Sequence, residues 1–325
     1  MRVNKVNTLR VAITDRCNLR CIYCMPAEGI AVKPQKDILT FEEITRVVRI
    51  AVNHGVQKVR LTGGEPLIRR NIEQLIKMLA PIPGLKDFAM TTNGIFLADK
   101  AQTLKQAGLK RVTISLDTLN PEQYTKITRK GNLNQVMAGI KAAQKAGLTP
   151  LKINVVAMRD VNHEEALDFV DFAAEKDLEV RFIELMPIDA NGGNFCSNRK
   201  GSAFIAYDKI KKLIEAGRGP LEPADSLPGS PAQRFNLPGG KGRIGFISAV
   251  SEPFCQGCTR MRLTADGKLR GCLLSSSEID VLSPLRNSPD DEAVIKAYQK
   301  ALLLKPKRLS PLFSDNQRWM SQIGG

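Results

Sequence analysis

The chain has 325 residues, 43% of them hydrophobic, enough to bury a large core as one big domain or as one domain with an appendage. No run approaches the roughly 18 to 20 apolar residues of a membrane-spanning helix, and the N-terminus is too polar for a signal peptide, so membrane and secreted classes are set aside and a cytoplasmic protein is expected. A net charge of +15 with only 5% aromatic residues suits anionic partners such as polyphosphate nucleotides better than a stacking platform for nucleic acid.

The first element is an apolar, β-branched run at Leu9–Thr14, and directly after it comes Cys17-Asn18-Leu19-Arg20-Cys21-Ile22-Tyr23-Cys24, a C-x3-C-x2-C loop. Three thiolates on one short loop can hold three corners of an iron–sulfur cube and leave one iron open to a ligand. A zinc loop is the other reading, and it would need a fourth Cys or His nearby. Seven cysteines in a reducing compartment serve better as metal ligands or catalytic thiols than as disulfides. Six of them fall into two groups of three, and Cys196 stands alone.

Further along, strand and helix signals alternate. Strands are expected at Lys58–Thr62, Asp87–Thr91, Arg111–Leu116, Leu151–Ala157 and Glu179–Leu185. Between them, Thr40 and Glu43 form a capping box that Gly55 answers at the other end, Asn71 opens a second helix, and Asn120-Pro121 opens a third; Gly108 and Gly147 mark later helix ends. Six βα units imply a parallel sheet with helices outside, either an open doubly wound sheet or a partial barrel. In both, chemistry gathers at the carboxyl ends of the strands. Thr14 with the Cys loop, Thr62-Gly63-Gly64-Glu65-Pro66, Thr91-Thr92-Asn93-Gly94, Ser115-Leu116-Asp117 and Glu184-Leu185-Met186 all fall there.

From Pro187 the texture changes, dividing the chain into residues 1–187 and 188–325. The stretch from Gly217 to Gly245 reads as loop, with a helix before it at Tyr207–Ala216. Met261–Thr264 and Lys268–Arg270, joined by Ala265-Asp266-Gly267, read as a hairpin. A second cysteine triplet, Cys255-Gln256-Gly257-Cys258 with Cys272, flanks that hairpin at C-x2-C-x13-C spacing. A zinc ribbon borrowing Cys196 is the alternative to a second iron–sulfur site.

Arg260 and Arg262 alternate on the hairpin strand and so share a face. Arg10, Lys58, Arg60, Lys152 and Arg181 also lie inside expected strands, where charge is costly unless an anion or an acidic side chain answers it. Two fixed guanidiniums on one face suit a phosphate chain. The knots Lys209-Lys211-Lys212 and Lys305-Lys307-Arg308 read as solvated surface.

The C-x3-C-x2-C loop with Tyr23 resembles the signature of the radical S-adenosylmethionine (SAM) enzymes. Leu61-Thr62-Gly63-Gly64-Glu65-Pro66, Ser115-Leu116-Asp117, Lys152-Ile153-Asn154, the segment from Arg181 to Pro187, the second triplet with Arg260 and Arg262, and the final Gly324-Gly325 together resemble, over essentially the whole chain, the GTP 3',8-cyclase family of molybdenum cofactor biosynthesis. The resemblance implies a partial (β/α)6 TIM-like barrel with a C-terminal α+β extension. It implies two 4Fe-4S clusters, on Cys17, Cys21 and Cys24 and on Cys255, Cys258 and Cys272, the first chelating SAM and the second meeting guanine. It implies SAM contacts at Tyr23, Gly64, Thr91, Ser115 and Met186, and GTP contacts at Arg10, Lys58, Arg60, Lys152, Arg181, Arg260 and Arg262. Gly324 and Gly325 would reach the active site and be needed for turnover. The implied reaction takes hydrogen from C3' of GTP with a 5'-deoxyadenosyl radical and closes C3' onto C8. A flavodoxin- or ferredoxin-like electron donor, the next enzyme of the pathway and a homodimer complete the expected partners, with no membrane and no nucleic acid among them. A peptide-modifying radical SAM enzyme and a zinc-dependent nucleic-acid-binding module are the competing readings.

Overall fold

A computed structural model describes residues 6–188, 203–225, 230–239, 241–306 and 318–324; Cys196, Lys307, Arg308 and Gly325 lie outside these described residues. The six expected strands form as β1 Thr8–Ala12, β2 Lys58–Thr62, β3 Asp87–Thr92, β4 Arg111–Ser115, β5 Lys152–Ala157 and β6 Glu179–Glu184. The helices between them are α1 Phe41–Asn53, α2 Ile72–Leu79, α3 Leu97–Gln106, α4 Pro121–Thr128, α5 Leu133–Lys145 and α6 Ala166–Lys176. The capping box of α1 is complete: the Glu43 amide donates to Thr40 Oγ1 at 3.2 Å and the Thr40 amide to Glu43 Oε2 at 2.8 Å. Asn120 caps α4 by accepting from the Glu122 and Gln123 amides, and Arg129 in the left-handed region ends that helix before Asn132 caps α5. After Pro187 come α7 Tyr207–Arg218, β7 Glu222–Pro223, β8 Gln233–Asn236, β9 Arg243–Ile247, β10 Arg260–Leu263, β11 Lys268–Arg270, β12 Ile279–Asp280, α8 Leu282–Asn287, α9 Glu292–Leu303 and α10 Met320–Ile323.

Among the described residues, all twelve strands join one sheet in the order β12-β11-β10-β1-β2-β3-β4-β5-β6-β9-β8-β7. β1 to β6 are parallel and consecutive, as expected, and the later residues extend the sheet at both edges. β10 runs parallel to β1 and β9 parallel to β6, each backed by an antiparallel hairpin partner. The expected loop from Gly217 to Gly245 therefore holds strands. They are two to five residues long and broken by Pro, Gly and Ser, too short for a period-2 pattern to register.

Alternation sorts each strand into two faces. Leu9 and Val11 of β1 and Val59 and Leu61 of β2 are buried against the outer helices in one continuous core. Thr8, Arg10, Lys58 and Arg60 point the other way, toward a cavity that residues of eight strands line together. The sheet thus curls into a barrel left open between β12 and β7, with an inside that is polar and cationic.

Candidate active site

Of the side chains lining this cavity eight are cationic (Arg10, Lys58, Arg60, Arg111, Lys152, Arg181, Arg260 and Arg262) and one, Asp87, is acidic. All seven basic residues singled out from the sequence are among them. Parallel register puts Arg262, Arg10 and Arg60 side by side on β10, β1 and β2, and one pleat back it aligns Arg260, Thr8 and Lys58. Burial is the largest influence on these guanidiniums and their mutual repulsion adds to it. Arg60 falls to about 10 and Arg262 to about 9, and Arg10 is also lowered, by burial first and then by Arg262, Arg60 and Arg260. A buried cluster of like charge is costly unless an anion enters it. Lys152 and Arg181 share an acidic partner: Glu179 pairs with Lys152 at 3.1 Å, with Arg181 at 2.5 Å and also with Arg234 at 3.2 Å. Despite Glu179, burial and the neighbouring Arg181 lower Lys152 to about 7.

The second cysteine triad borders the same cavity. Cys255 and Cys258 sit on a 3-10 turn just before β10, Cys272 follows β11, and all three line the space, as do Thr91 and Met186. Arg260 lies over the Phe254 ring, 4.8 Å from its centroid. Burial alone would raise the Cys258 thiol, but Arg260 and Lys305 outweigh it and bring it down to about 7, where thiolate forms readily.

The first triad stands on the loop between β1 and α1, and this loop is held by its neighbours. The amides of Arg20 and Ile22 donate to the carbonyls of Thr128 and Ile127 at the end of α4, each at 3.0 Å. Gly64 and Glu65 donate to the carbonyls of Thr14 and Arg16, each at 2.8 Å. A Cβ at residue 64 would stand 2.1 Å from the Arg16 carbonyl oxygen, so only glycine permits this backbone contact. Glu65 turns inward, its carboxylate accepting from Thr92 Oγ1 at 2.7 Å and from the amides of Asn93 at 2.7 Å and Leu67 at 2.9 Å. Burial raises it to about 7 in spite of those three donors. Thr92, named beside Thr91 as a strand-end hydroxyl, is therefore engaged with protein. Tyr23 donates its hydroxyl to Asp117 Oδ2 at 2.7 Å, and Asp117, which also accepts from the Val156 amide, is raised by burial to about 6. Ser115 shares the inner parity of Thr113 but is not among the cavity's lining residues.

Burial raises Cys17 to about 11 and lifts Cys21 well above its ordinary value too. Such thiols surrender their protons to a cationic metal rather than to water. Among the described residues no three Cys, His, Asp or Glu side chains converge closely enough to hold a single metal ion. Zinc needs every sulfur at about 2.3 Å from one point, whereas each thiolate of a cubane meets a different iron. The donor set of both triads, three free thiols apiece, fits the cube better.

The last described residues reach β1, β2 and β10. Arg262 donates to the Gly324 carbonyl, and a Cβ on Gly324, at φ +71°, would fall 2.8 Å from Thr62 Cγ2 and 3.1 Å from Ala12 Cβ. The tail is moored by Arg318, which binds Asp266 at 3.0 Å and Glu278 at 2.7 Å. Gly324 therefore sits at the carboxyl ends of β1 and β2, and Gly325 lies beyond the described residues.

Sequence reasoning missed Arg111 and Glu179, and it placed Glu65, Asp117 and Asn154 in motifs at the site without giving Asp117 and Asn154 roles of their own. The parity of β4 could have found Arg111, which is two residues before Thr113 on the inner face. Asn154 lines the cavity with a buried Oδ1 that has no hydrogen-bond partner in the structure. The strand-end motifs held Asp117 and Glu65, but their contacts with Tyr23, Thr92 and Asn93 are tertiary, and no local pattern carries those.

Comparison with known proteins agrees with this geometry. Residues 11–173 match the radical SAM superfamily and residues 178–311 match the family described as Molybdenum Cofactor Synthesis C. The chain is 49% identical to the GTP 3',8-cyclase of Moorella thermoacetica over 99% of its length and 98% of that protein's. It is 46% identical to the GTP 3',8-cyclase of Petrotoga mobilis over 98% of both. Among solved structures, anSMEcpe with bound AdoMet shares the fold at a TM-score of 0.56 and 16% identity, covering 89% of this chain and 82% of that one. Streptococcus suis SuiB bound to S-adenosylmethionine does so at 0.55 and 18%, covering 83% and 61%.

Proposed function

The chain belongs to the GTP 3',8-cyclase family of radical SAM enzymes, and from that premise we infer that its cationic cavity receives the triphosphate of GTP for conversion to (8S)-3',8-cyclo-7,8-dihydroguanosine 5'-triphosphate. The observation that carries this assignment is the juxtaposition of eight cationic side chains with the Cys255, Cys258 and Cys272 triad around one space. The phosphates occupy the row of Arg262, Arg10 and Arg60 with Arg260, Lys58, Lys152 and Arg181 around it, which leaves the guanine directed at the triad. Thr91 and Met186 line the same space and, with Gly64, Ser115 and Tyr23, form the SAM side of the site.

Cys17, Cys21 and Cys24 hold one 4Fe-4S cluster and Cys255, Cys258 and Cys272 the other. When bound, the first supplies the electron that cleaves SAM to a 5'-deoxyadenosyl radical, and the second supplies an iron for the guanine. This chain's own residues bind, orient and exclude water. Glu65 and Asp117 brace the loops around the first triad, and Gly324 packs where Ala12, Thr62 and Arg262 meet. Residues 1–187 form the SAM-binding core and 188–325 the cluster- and substrate-binding part.

Among the described residues no helix is long and apolar enough to cross a membrane. A cytoplasmic location, a homodimer, a flavodoxin- or ferredoxin-like donor and transient transfer to the next enzyme of the pathway complete the proposal. The test is anaerobic reconstitution followed by iron and sulfide counting and by turnover with SAM, GTP and reductant. Two cubes per chain and a GTP-derived product of unchanged mass are expected. A single cube, zinc in place of iron, or 5'-deoxyadenosine formed with no change to GTP would contradict it.

A further inference from the structure

Lys305 follows α9 in what the sequence presents as a solvated basic knot, yet its side chain turns inward. Its Nζ donates to the Arg260 carbonyl at 2.7 Å, to the Gly271 carbonyl at 3.2 Å and to Cys258 Sγ at 3.4 Å. An ammonium has three protons to donate, so all of them are used within the protein. The two carbonyls belong to the two segments that carry the second triad: Arg260 is two residues past Cys258, and Gly271 directly precedes Cys272. Close approach is built into the backbone as well, because a Cβ at Gly271 would lie 2.9 Å from Lys305 Cα and 3.1 Å from its amide nitrogen.

We propose that Lys305 is a positioning residue of the second triad, a fixed cation that ties its two halves together and hydrogen-bonds the Cys258 thiolate. This rests on the reading of that triad as a cluster site. Hydrogen bonds to ligating sulfurs and nearby charge set the reduction potential of an iron–sulfur centre. A cation held on Cys258 favours the reduced, more negative form and so raises the potential.

The test uses the full chain with Cys17, Cys21 and Cys24 all changed to Ser, so that only the second triad can hold iron. Its reduction is followed by EPR with and without Lys305→Met. The methionine variant should shift the reduction equilibrium about tenfold against the reduced form, which is 59 mV for one electron. An unchanged potential at full iron content overturns the proposal. In wild-type protein carrying 15N at the lysine side chains, HYSCORE of the reduced second cluster should show a 15N coupling. Its absence overturns the proposal even where the methionine variant fails to hold iron. Absence of iron from the parent triple-serine protein would instead overturn the cluster reading, and the role of Lys305 with it.

Discussion

Arg260 offers a direct reading of the phosphate site, because its guanidinium lines the cavity between the Phe254 ring and the Cys258 sulfur and, among the described residues, no ion pair to a carboxylate is recorded for it. A hydrogen bond to a charged group contributes about 1.5–3 kcal/mol. Arg260→Ala should therefore raise the KM for GTP by roughly ten- to a hundredfold, and steady-state kinetics showing no rise would take it off the phosphate. Lys152 makes a pH prediction. Free, it titrates at about 7, and an incoming triphosphate raises it. Between those two values binding takes up a proton, so GTP affinity should fall as pH rises above 7, up to tenfold per unit. Calorimetry in buffers of different ionisation enthalpy would detect that uptake, and Lys152→Met should abolish it. At the triads, Cys17→Ser should eliminate 5'-deoxyadenosine formation, whereas Cys255→Ser should spare reductive SAM cleavage better than GTP cyclisation. Equal loss of both in the second variant would make that triad structural. The cysteines and strand arginines could be read from sequence because spacing and parity are local. The bracing by Glu65 and Asp117 could not, because each acts through partners 27 and 94 residues away.

At the scale of elements, the βα repeat was legible because each strand is an apolar run and each helix carries its own cap. The edge strands β7 and β8 were not, being too short to show a period. Glu179, on β6, illustrates what ties neighbouring strands below the cavity. Burial opposes its charge, but Arg181, Lys152 and Arg234 hold it well down, to about 2. Its stabilisation is present above the ordinary glutamate value and is lost as pH falls toward 2. Glu179→Gln leaves three buried cations without their carboxylate, and breaking such a set costs about 3–5 kcal/mol. A clear drop in Tm with a flatter acid limb of the stability curve is expected. A variant as stable as the wild type, with the same acid limb, would show that the three cations need no carboxylate there.

The whole molecule is one sheet to which both parts of the chain contribute, since residues beyond Pro187 flank β1 on one side and β6 on the other. Residues 1–187 alone would expose both edges, and unpaired edges invite aggregation. A truncated chain should be recovered insoluble, and a monomeric, SAM-binding fragment would show that the core stands by itself. The assembled barrel brings Arg10, Arg60 and Arg262 into one row beside Cys255, Cys258 and Cys272, and a nucleotide triphosphate is the ligand that answers both. Calorimetric titration of the reconstituted protein with GTP and with guanosine tests this most directly. GTP should bind and guanosine should bind at least a hundredfold more weakly; equal affinity for the two, or no heat with GTP, would contradict a phosphate-binding cavity.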